Sequence, residues 1–361
     1  MVEPALARLW QAGEGAVFGL SQATQALAIV HEVLRREAAG PLCVWVPDYY
    51  CEGALYHLRA GGARLVFYPV DAALRPDWQA CAALLTAGAP NLFLLVHYFG
   101  TVNDLAGARA FCDAAGARLL EDAVHVLRPV GGIGTAGDFV CYSPRKFFAL
   151  PDGGVLVVRG AELGAAARMA AARLSPATAG AWPWRLRTLL PRAPRRGPAP
   201  PIGIEHQAPQ PPPQPALWMS RYTRARLAAL AASGQLMAEE RRQQAVVAQI
   251  AGALGGWRGL EVLAMADGAT PYFFAMRGRD AASVAVALAE LRQAGAVVAP
   301  WPGLPPEVLA APERHATAFH IRRTLLRFTP REMARRRPLD FLAALALAPE
   351  PAVGRRLASP A

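Results

Sequence analysis

Short runs of apolar residues punctuate the first half of the chain at Leu42–Val46, Arg64–Tyr68, Leu92–His97 and Arg118–Leu120, each separated from the next by a segment of helical composition such as Leu105–Ala115. Runs that are apolar throughout, rather than alternating with polar residues, predict strands buried on both faces. The pattern therefore predicts an α/β fold with a largely parallel sheet between helices. Gln22–Arg36 predicts a helix opening near Ser21 or Thr24, with Leu27, Ile29, Val30 and Val33 on its apolar stripe. Two further strands are predicted at Phe139–Tyr142 and Gly154–Arg159, the second after the turn Pro151-Asp152-Gly153.

From Trp182 to Leu217 the chain is proline-rich, which excludes helix and central strand and predicts a loop or an extended crossing. A long helical stretch is predicted over Ser220–Ala253. Beyond it, Pro271–Arg277 (strand), Ala281–Ala294 (helix) and Ala296–Ala299 (strand) predict a compact α+β unit, closed by a helix over Pro338–Ala346. No internal repeat is visible. The expected division is a large domain over residues 1–217, including the proline-rich segment 192–217, then a linking helix and small C-terminal domain over 218–361.

Composition narrows the partners. The 361 residues are 53% hydrophobic, enough for a substantial core. No run of about 18 or more apolar residues occurs, so no membrane-spanning helix is expected, and the opening MVEPALARLWQ lacks the features of a signal peptide. Five cysteines (Cys43, Cys51, Cys81, Cys112, Cys141) are scattered without a C-x-x-C pair, which fits a reducing cytoplasm and neither a disulfide framework nor a structural zinc. The net charge of +11 is mostly dispersed, and the clusters Arg192–Arg196 and Arg331–Arg337 lack a nucleic-acid-binding context. Solvated arginines with some preference for anionic ligands are expected, not nucleic acid.

One count changes the picture. Of 38 basic residues, 37 are arginine and one, Lys146, is lysine. Arginine replaces lysine wherever only a cation is needed, but a guanidinium cannot shed its proton and act as a nucleophile. In an open parallel sheet ligands gather at the carboxyl ends of strands, and Asp122, His97 and Lys146 all lie just past apolar runs. A carboxylate that keeps a ring nitrogen protonated, with an amine that forms a Schiff base and shuttles a proton, is the pair that pyridoxal phosphate requires. Read alone, an aspartate placed like Asp122 is more often a strand-end turn or helix-cap residue.

Six segments in order carry a resemblance. Gln22-Ala23-Thr24-Gln25-Ala26-Leu27 is similar to an S-G-T-x-A-L segment and Val46-Pro47-Asp48-Tyr49-Tyr50 to V-P-S-x-T. Val96-His97-Tyr98-Phe99-Gly100 is similar to V-H-L-Y-G, Glu121-Asp122-Ala123-Val124-His125 to E-D-A-A-[QH], Gly137-Asp138 to a G-D pair, and Lys146 with Asp152-Gly153-Gly154 to K-x5-[ED]-G-G. Over residues 20–160 the chain thus resembles the DegT/StrS-type sugar aminotransferases of the fold type I, aspartate-aminotransferase-like group.

The resemblance implies pyridoxal 5'-phosphate as cofactor, bound as an aldimine to Lys146, with Asp122 at the pyridine nitrogen. It places the phosphate at the helix N-terminus near Ala23 and Thr24 and at Ser143, the ring beside Tyr50 or Cys51, and His125 against the ring or substrate. Trp301, Arg322 or Arg323 are candidates for touching substrate. It further implies ping-pong transfer of an amino group from an amino-acid donor, often glutamate, to a keto-sugar or related carbonyl acceptor, by a cytoplasmic homodimer. Elimination, dehydration or another reaction of this cofactor, or a non-catalytic binding protein on the same scaffold, are the alternatives. Departures are also present. Ala23 replaces the phosphate-segment glycine, the Asp138–Lys146 spacing is slightly short, Cys51 occupies the stacking position, and Trp218-Met219-Ser220-Arg221-Tyr222 follows where G-x-N-x-R-M is usual.

Overall fold

The structure, a computed structural model, describes residues 4–10, 14–175, 217–335 and 340–346. Nearly all of the proline-rich stretch, the Arg192–Arg196 cluster, the end of the Arg331–Arg337 cluster and the first residues of the predicted closing helix lie outside them.

Seven strands form the main sheet: β1 (Ala16–Leu20), β2 (Cys43–Pro47), β3 (Arg64–Tyr68), β4 (Leu92–Val96), β5 (Arg118–Asp122), β6 (Phe139–Tyr142) and β7 (Gly154–Val158), in the spatial order β1-β7-β6-β5-β4-β2-β3. From β3 through β6 neighbouring strands are parallel, while β7 runs antiparallel to both β6 and β1. The uniform apolar runs have the predicted cause. Along β6 and β7, Phe139, Cys141, Leu156 and Val158 pack in one core cluster, whereas Val140, Tyr142, Val155 and Val157 pack in another on the opposite face. Helix α1 (Ala26–Arg35) covers the first face through Leu27, Ile29, Val30 and Val33. The second face is covered by Leu227 and Leu230 of α2 (Arg221–Ala232) and Leu236 of α3 (Gln235–Leu254).

Three expectations need correction. Strand β1 was not anticipated, because its residues precede the first apolar run used to frame the sheet. The predicted helix over Ser220–Ala253 is two helices, broken at Gly234, whose left-handed backbone (φ 71°) no helix interior accommodates. In the small unit, β8 (Glu261–Val262), β9 (Phe274–Arg277), β10 (Val298–Ala299) and β11 (Leu325–Phe328) form an antiparallel sheet in the order β10-β11-β9-β8. Its strand β11 was not anticipated. Helix α4 (Ala281–Gln293) packs Val284, Ala287, Leu288 and Leu291 onto this sheet.

The register of the main sheet lines up a single edge. Leu20 sits opposite Gly154, Tyr142 opposite Val155, Asp122 opposite Cys141, and Val96 opposite Asp122. The segments after β1, β4, β5 and β6 therefore emerge side by side. Gly154 permits the closest of these approaches, since a Cβ there would lie 2.3 Å from the Ala23 nitrogen and the Gln22 carbonyl carbon. Gly154→Ala should therefore lower unfolding stability by roughly 1–3 kcal/mol through overpacking. Gly252→Ala, in α3 with no atom within 4 Å of the added methyl, should be stabilising by roughly 0.5–1 kcal/mol. Urea denaturation of both variants checks the contrast.

Candidate active site

Lys146 lies in a one-turn helix, Pro144–Phe147, directly after β6, with Pro144 at the first helical position and Ser143 before it. The turn is fastened by Lys146 N–H to Ser143 O (3.0 Å) and Arg145 N–H to Gly153 O (3.3 Å). The Lys146 amine stands 5.2 Å from the ring centre of Tyr272. Burial pulls its pKa down to about 8. The negative charge of Asp122 opposes that shift, and the cations of Arg145 and Arg327 add to it. Roughly a tenth of this amine is thus unprotonated at pH 7, far more than for a free lysine, which favours nucleophilic or base chemistry.

Asp122 ends β5 and is buried, with protein donors on both oxygens: Val124 N–H on Oδ1 (3.1 Å) and the Tyr50 hydroxyl on Oδ2 (2.7 Å). Burial, then the charge and hydrogen bond of Asp122, raise the Tyr50 pKa well above its ordinary value, so Tyr50 remains a donor. Asp122 and Lys146 act on each other electrostatically, but no ion pair joins them. Cys51 completes this group. Burial raises its pKa while the nearby Lys146 cation lowers it, and the thiol is not depressed into a reactive thiolate.

On the other side of β7, residues Ala23–Gln25 form a helical turn that leads into α1. Gly153 N–H bonds to Ser21 O (2.8 Å), and Ser21 Oγ and the Gln22 N–H both reach Gln25 Oε1. Thr24 and Ala23 are half-buried here, and the Ser143 hydroxyl, buried one strand away, makes no capping bond. This leaves backbone N–H groups of a helix start and a free hydroxyl at the same edge of the sheet, a geometry suited to a phosphate.

His97 and Glu121, by contrast, are structural. Glu121 is fully buried and accepts from Gly134 N–H (2.7 Å), Ala136 N–H (2.8 Å), Gly137 N–H (2.5 Å) and His97 Nε2 (2.8 Å), while His97 Nδ1 accepts from Asn103 N–H (3.2 Å). That fixes the proton on His97 Nε2. Burial alone would raise the Glu121 carboxyl pKa, but the His97 contact and the Gly137 and Gly134 N–H groups hold it below its usual value. Asp138 likewise ties Arg109, Arg118 and the Leu119 N–H together. The Gly137-Asp138 pair therefore shapes the loop ahead of β6 rather than touching the site.

His125 is buried, its Nδ1 accepting from Phe99 N–H (3.1 Å), with its ring stacked on Phe99 and edge-on to Trp301 and Phe273. Burial, then the cations of Lys146 and Arg327, keep its pKa well below the ordinary value, so it is neutral. Trp301 packs against Tyr49, Tyr98, Phe99, His125 and Phe273, which joins the small unit to the sheet edge. Of the two candidate arginines, Arg323 is exposed, whereas Arg322 is buried and donates from Nε to Pro302 O (2.5 Å). Sequence reasoning missed the Tyr50–Asp122 bond, Tyr272 and Arg327; for Arg327 the signal was a cation inside the apolar run Leu325–Phe328. A separate crevice of about 430 Å³ near Leu34 and Asn91 has its arginines, Arg109 and Arg118, already paired with Asp113 and Asp138.

The described residues hold no cluster of metal ligands and no helix long and apolar enough to cross a membrane, and all five cysteines are free. A mainly parallel seven-stranded sheet with an antiparallel β7 and a smaller α+β unit, bearing a lysine and an aspartate at one edge, is the fold type I architecture of pyridoxal-phosphate-dependent transferases. The depressed Lys146 amine, the buried Asp122 carboxylate and the tight Gly154 corner under the helix start fit that cofactor. Residues 3–175 match the model of the DegT/DnrJ/EryC1/StrS aminotransferase family.

Among solved structures, the chain is similar to the aminotransferase TlmJ from Streptoalloteichus hindustanus (23% identity, TM-score 0.66, covering 94% of this chain and 89% of that one). It is also similar to 3-amino-5-hydroxybenzoic acid synthase (18%, 0.66, 94% and 89%) and to the PMP form of a sugar aminotransferase, Spr1654, from Streptococcus pneumoniae (16%, 0.66, 96% and 92%). No curated protein matches the chain.

The Lys146 shift also sets a pH dependence. With a folded pKa near 8 against 10.5 for the free amine, the unfolded state binds more protons between those values, so stability rises with pH across that window. Lys146→Met removes the charge that burial penalises. It should stabilise the cofactor-free protein at pH 7 by no more than about 3 kcal/mol, an advantage that shrinks from pH 8 and is gone by pH 10.5. Denaturation midpoints measured across pH check this.

Proposed function

We propose that the chain is an aminotransferase that uses Lys146 to move an amino group from an amino-acid donor to a keto-sugar or related carbonyl acceptor. The observation that carries this reading is a lone lysine whose amine is depressed to about 8 beside, but not paired with, a buried aspartate. When bound, pyridoxal phosphate supplies an electron sink that makes the Cα–H bond of an attached amino acid acidic.

The chain's own residues do the rest. Lys146 Nζ would hold the cofactor, and the same amine would serve as the base that takes the proton at the donor's Cα. Asp122 keeps the ring nitrogen protonated, held in orientation by the Tyr50 hydroxyl and the Val124 N–H. Backbone N–H groups at Ala23 and Thr24, with the Ser143 hydroxyl, receive the phosphate. Cys51, beside Lys146 and Asp122, and neutral His125, braced by Phe99 and Trp301, would border the ring. Residues 1–217 carry this cofactor site, 218–361 close its mouth, and the working form is a cytoplasmic homodimer, as the family resemblance implies.

Purified wild-type protein with added pyridoxal phosphate should show the visible absorption band of a lysine-bound cofactor, and one amino donor from a panel should bleach it. Lys146→Ala and Lys146→Arg should abolish the band. Asp122→Asn should keep it while slowing the donor half-reaction by at least about a hundredfold, the scale of an acid–base contribution. A wild-type protein without the band would refute the proposal.

A further inference from the structure

Tyr272 enters the site from outside the residues that match the family model, which end at 175. It lies just before β9, yet its backbone is fixed by the main sheet. Thr101 Oγ1 donates to Ala264 O, Ala266 N–H to Gly100 O (2.9 Å) and Tyr272 N–H to His125 O (2.8 Å), so the approach to β9 is laced to the loops after β4 and β5. Gly100 allows the chain this close, since a Cβ there would lie 3.2 Å from Pro271 Cβ on a backbone with φ 83°.

The ring itself is met by the lysine's own turn. Phe147 packs edge-on to it at 6.0 Å between ring centres, Lys146 Nζ stands 5.2 Å from the same centre, and Phe273 packs at 4.2 Å. The charged and titratable groups acting on that amine come from several elements: Asp122 at the end of β5, Cys51 after β2, Arg145 on the same turn and Arg327 on β11, with neutral His125 beside them. Asp122 is the anion of this set, and it forms no ion pair with the lysine because its oxygens are engaged by Tyr50 and Val124.

An amine that takes up a proton must then tolerate the charge until it gives the proton away. A carboxylate in contact would favour the ammonium so strongly that the amine stayed protonated. An aromatic face attracts an ammonium more weakly, through its quadrupole and without a fixed hydrogen bond, at separations up to about 6 Å. We propose that Tyr272 is a positioning residue for Lys146, its ring face being the seat of the ammonium whenever that nitrogen is not bonded to the cofactor. The ring face carries this role and the hydroxyl does not. The seat follows from the geometry of amine and ring, whereas its use during turnover rests on the proposed function.

Because Lys146 is the sole lysine, protein produced with isotopically labelled lysine gives a single side-chain NMR signal, and its titration is that of this amine. The full chain is titrated loaded with pyridoxamine phosphate, which carries no aldehyde and leaves the lysine unbonded, and again without cofactor. Tyr272→Phe should leave the midpoint within about 0.3 pH unit of wild type. Tyr272→Leu, apolar but without a ring face, should lower it by about one unit, a tenfold loss of proton affinity. Fluorinating the ring of Tyr272→Phe, which drains negative charge from the face with little change of shape, should lower the midpoint step by step, and this series decides the matter if Tyr272→Leu does not fold. The proposal is overturned if Tyr272→Leu leaves the midpoint unchanged or raises it, or if the fluorinated series is flat. If pyridoxamine phosphate fails to bind while the cofactor-free midpoints shift as expected, the cofactor reading falls and the seat stands.

Discussion

An amine becomes useful when its surroundings make it reluctant to keep a proton, and at Lys146 packing imposes that reluctance. Burial drives its pKa down, and Arg145 and Arg327 push the same way. Asp122 is the group able to undo this, because a contact ion pair would return the amine to full protonation. The structure avoids that by engaging the aspartate elsewhere. Its two oxygens already accept from Val124 and Tyr50, so the carboxylate is oriented along its own strand end instead of folding onto the lysine. Separation of the two groups is therefore built into β5 and the loop after β2.

Alternation along β5 explains why so little else at this edge is reactive. Asp122 faces the site and its neighbour Glu121 faces the other way, into a knot of three backbone N–H groups and His97. That knot holds the chain from Gly134 to Gly137 against the sheet, which sets where β6 begins and hence where Ser143 and Lys146 emerge. Gly137 is required at this corner because a Cβ would meet Phe139 O at 2.6 Å and Glu121 Cγ at 3.0 Å. A carboxylate and a histidine that look catalytic in the sequence are thus the support on which the lysine turn is placed.

Much of this was legible in the sequence, for identifiable reasons. Strands buried on both faces leave unbroken apolar runs, so β2 to β7 were readable to within a residue or two at each end, and a sole lysine among arginines marked the amine. What escaped depends on contacts distant in sequence. The bond from Tyr50 to Asp122 spans 72 positions, and nothing local distinguishes a tyrosine that holds an aspartate from one that only packs. His97 and Asp122 both end apolar runs, yet only side-chain direction separates a support from a site residue. Strand β11 escaped because its four residues, interrupted by Arg327, make too short an apolar run to stand out.

That last miss has a physical lesson about the chain's unusual composition. A guanidinium cannot replace the amine at Lys146, because it stays protonated. A chain that uses arginine nearly everywhere else therefore keeps lysine at the one place where the proton must leave, while arginine remains free to take up any position where it must stay. Most such positions are solvated and uninformative. The informative ones are those where strand alternation turns the cation inward, as at Arg277 and Arg327 on one face of the small sheet, neither of which forms an ion pair among the described residues.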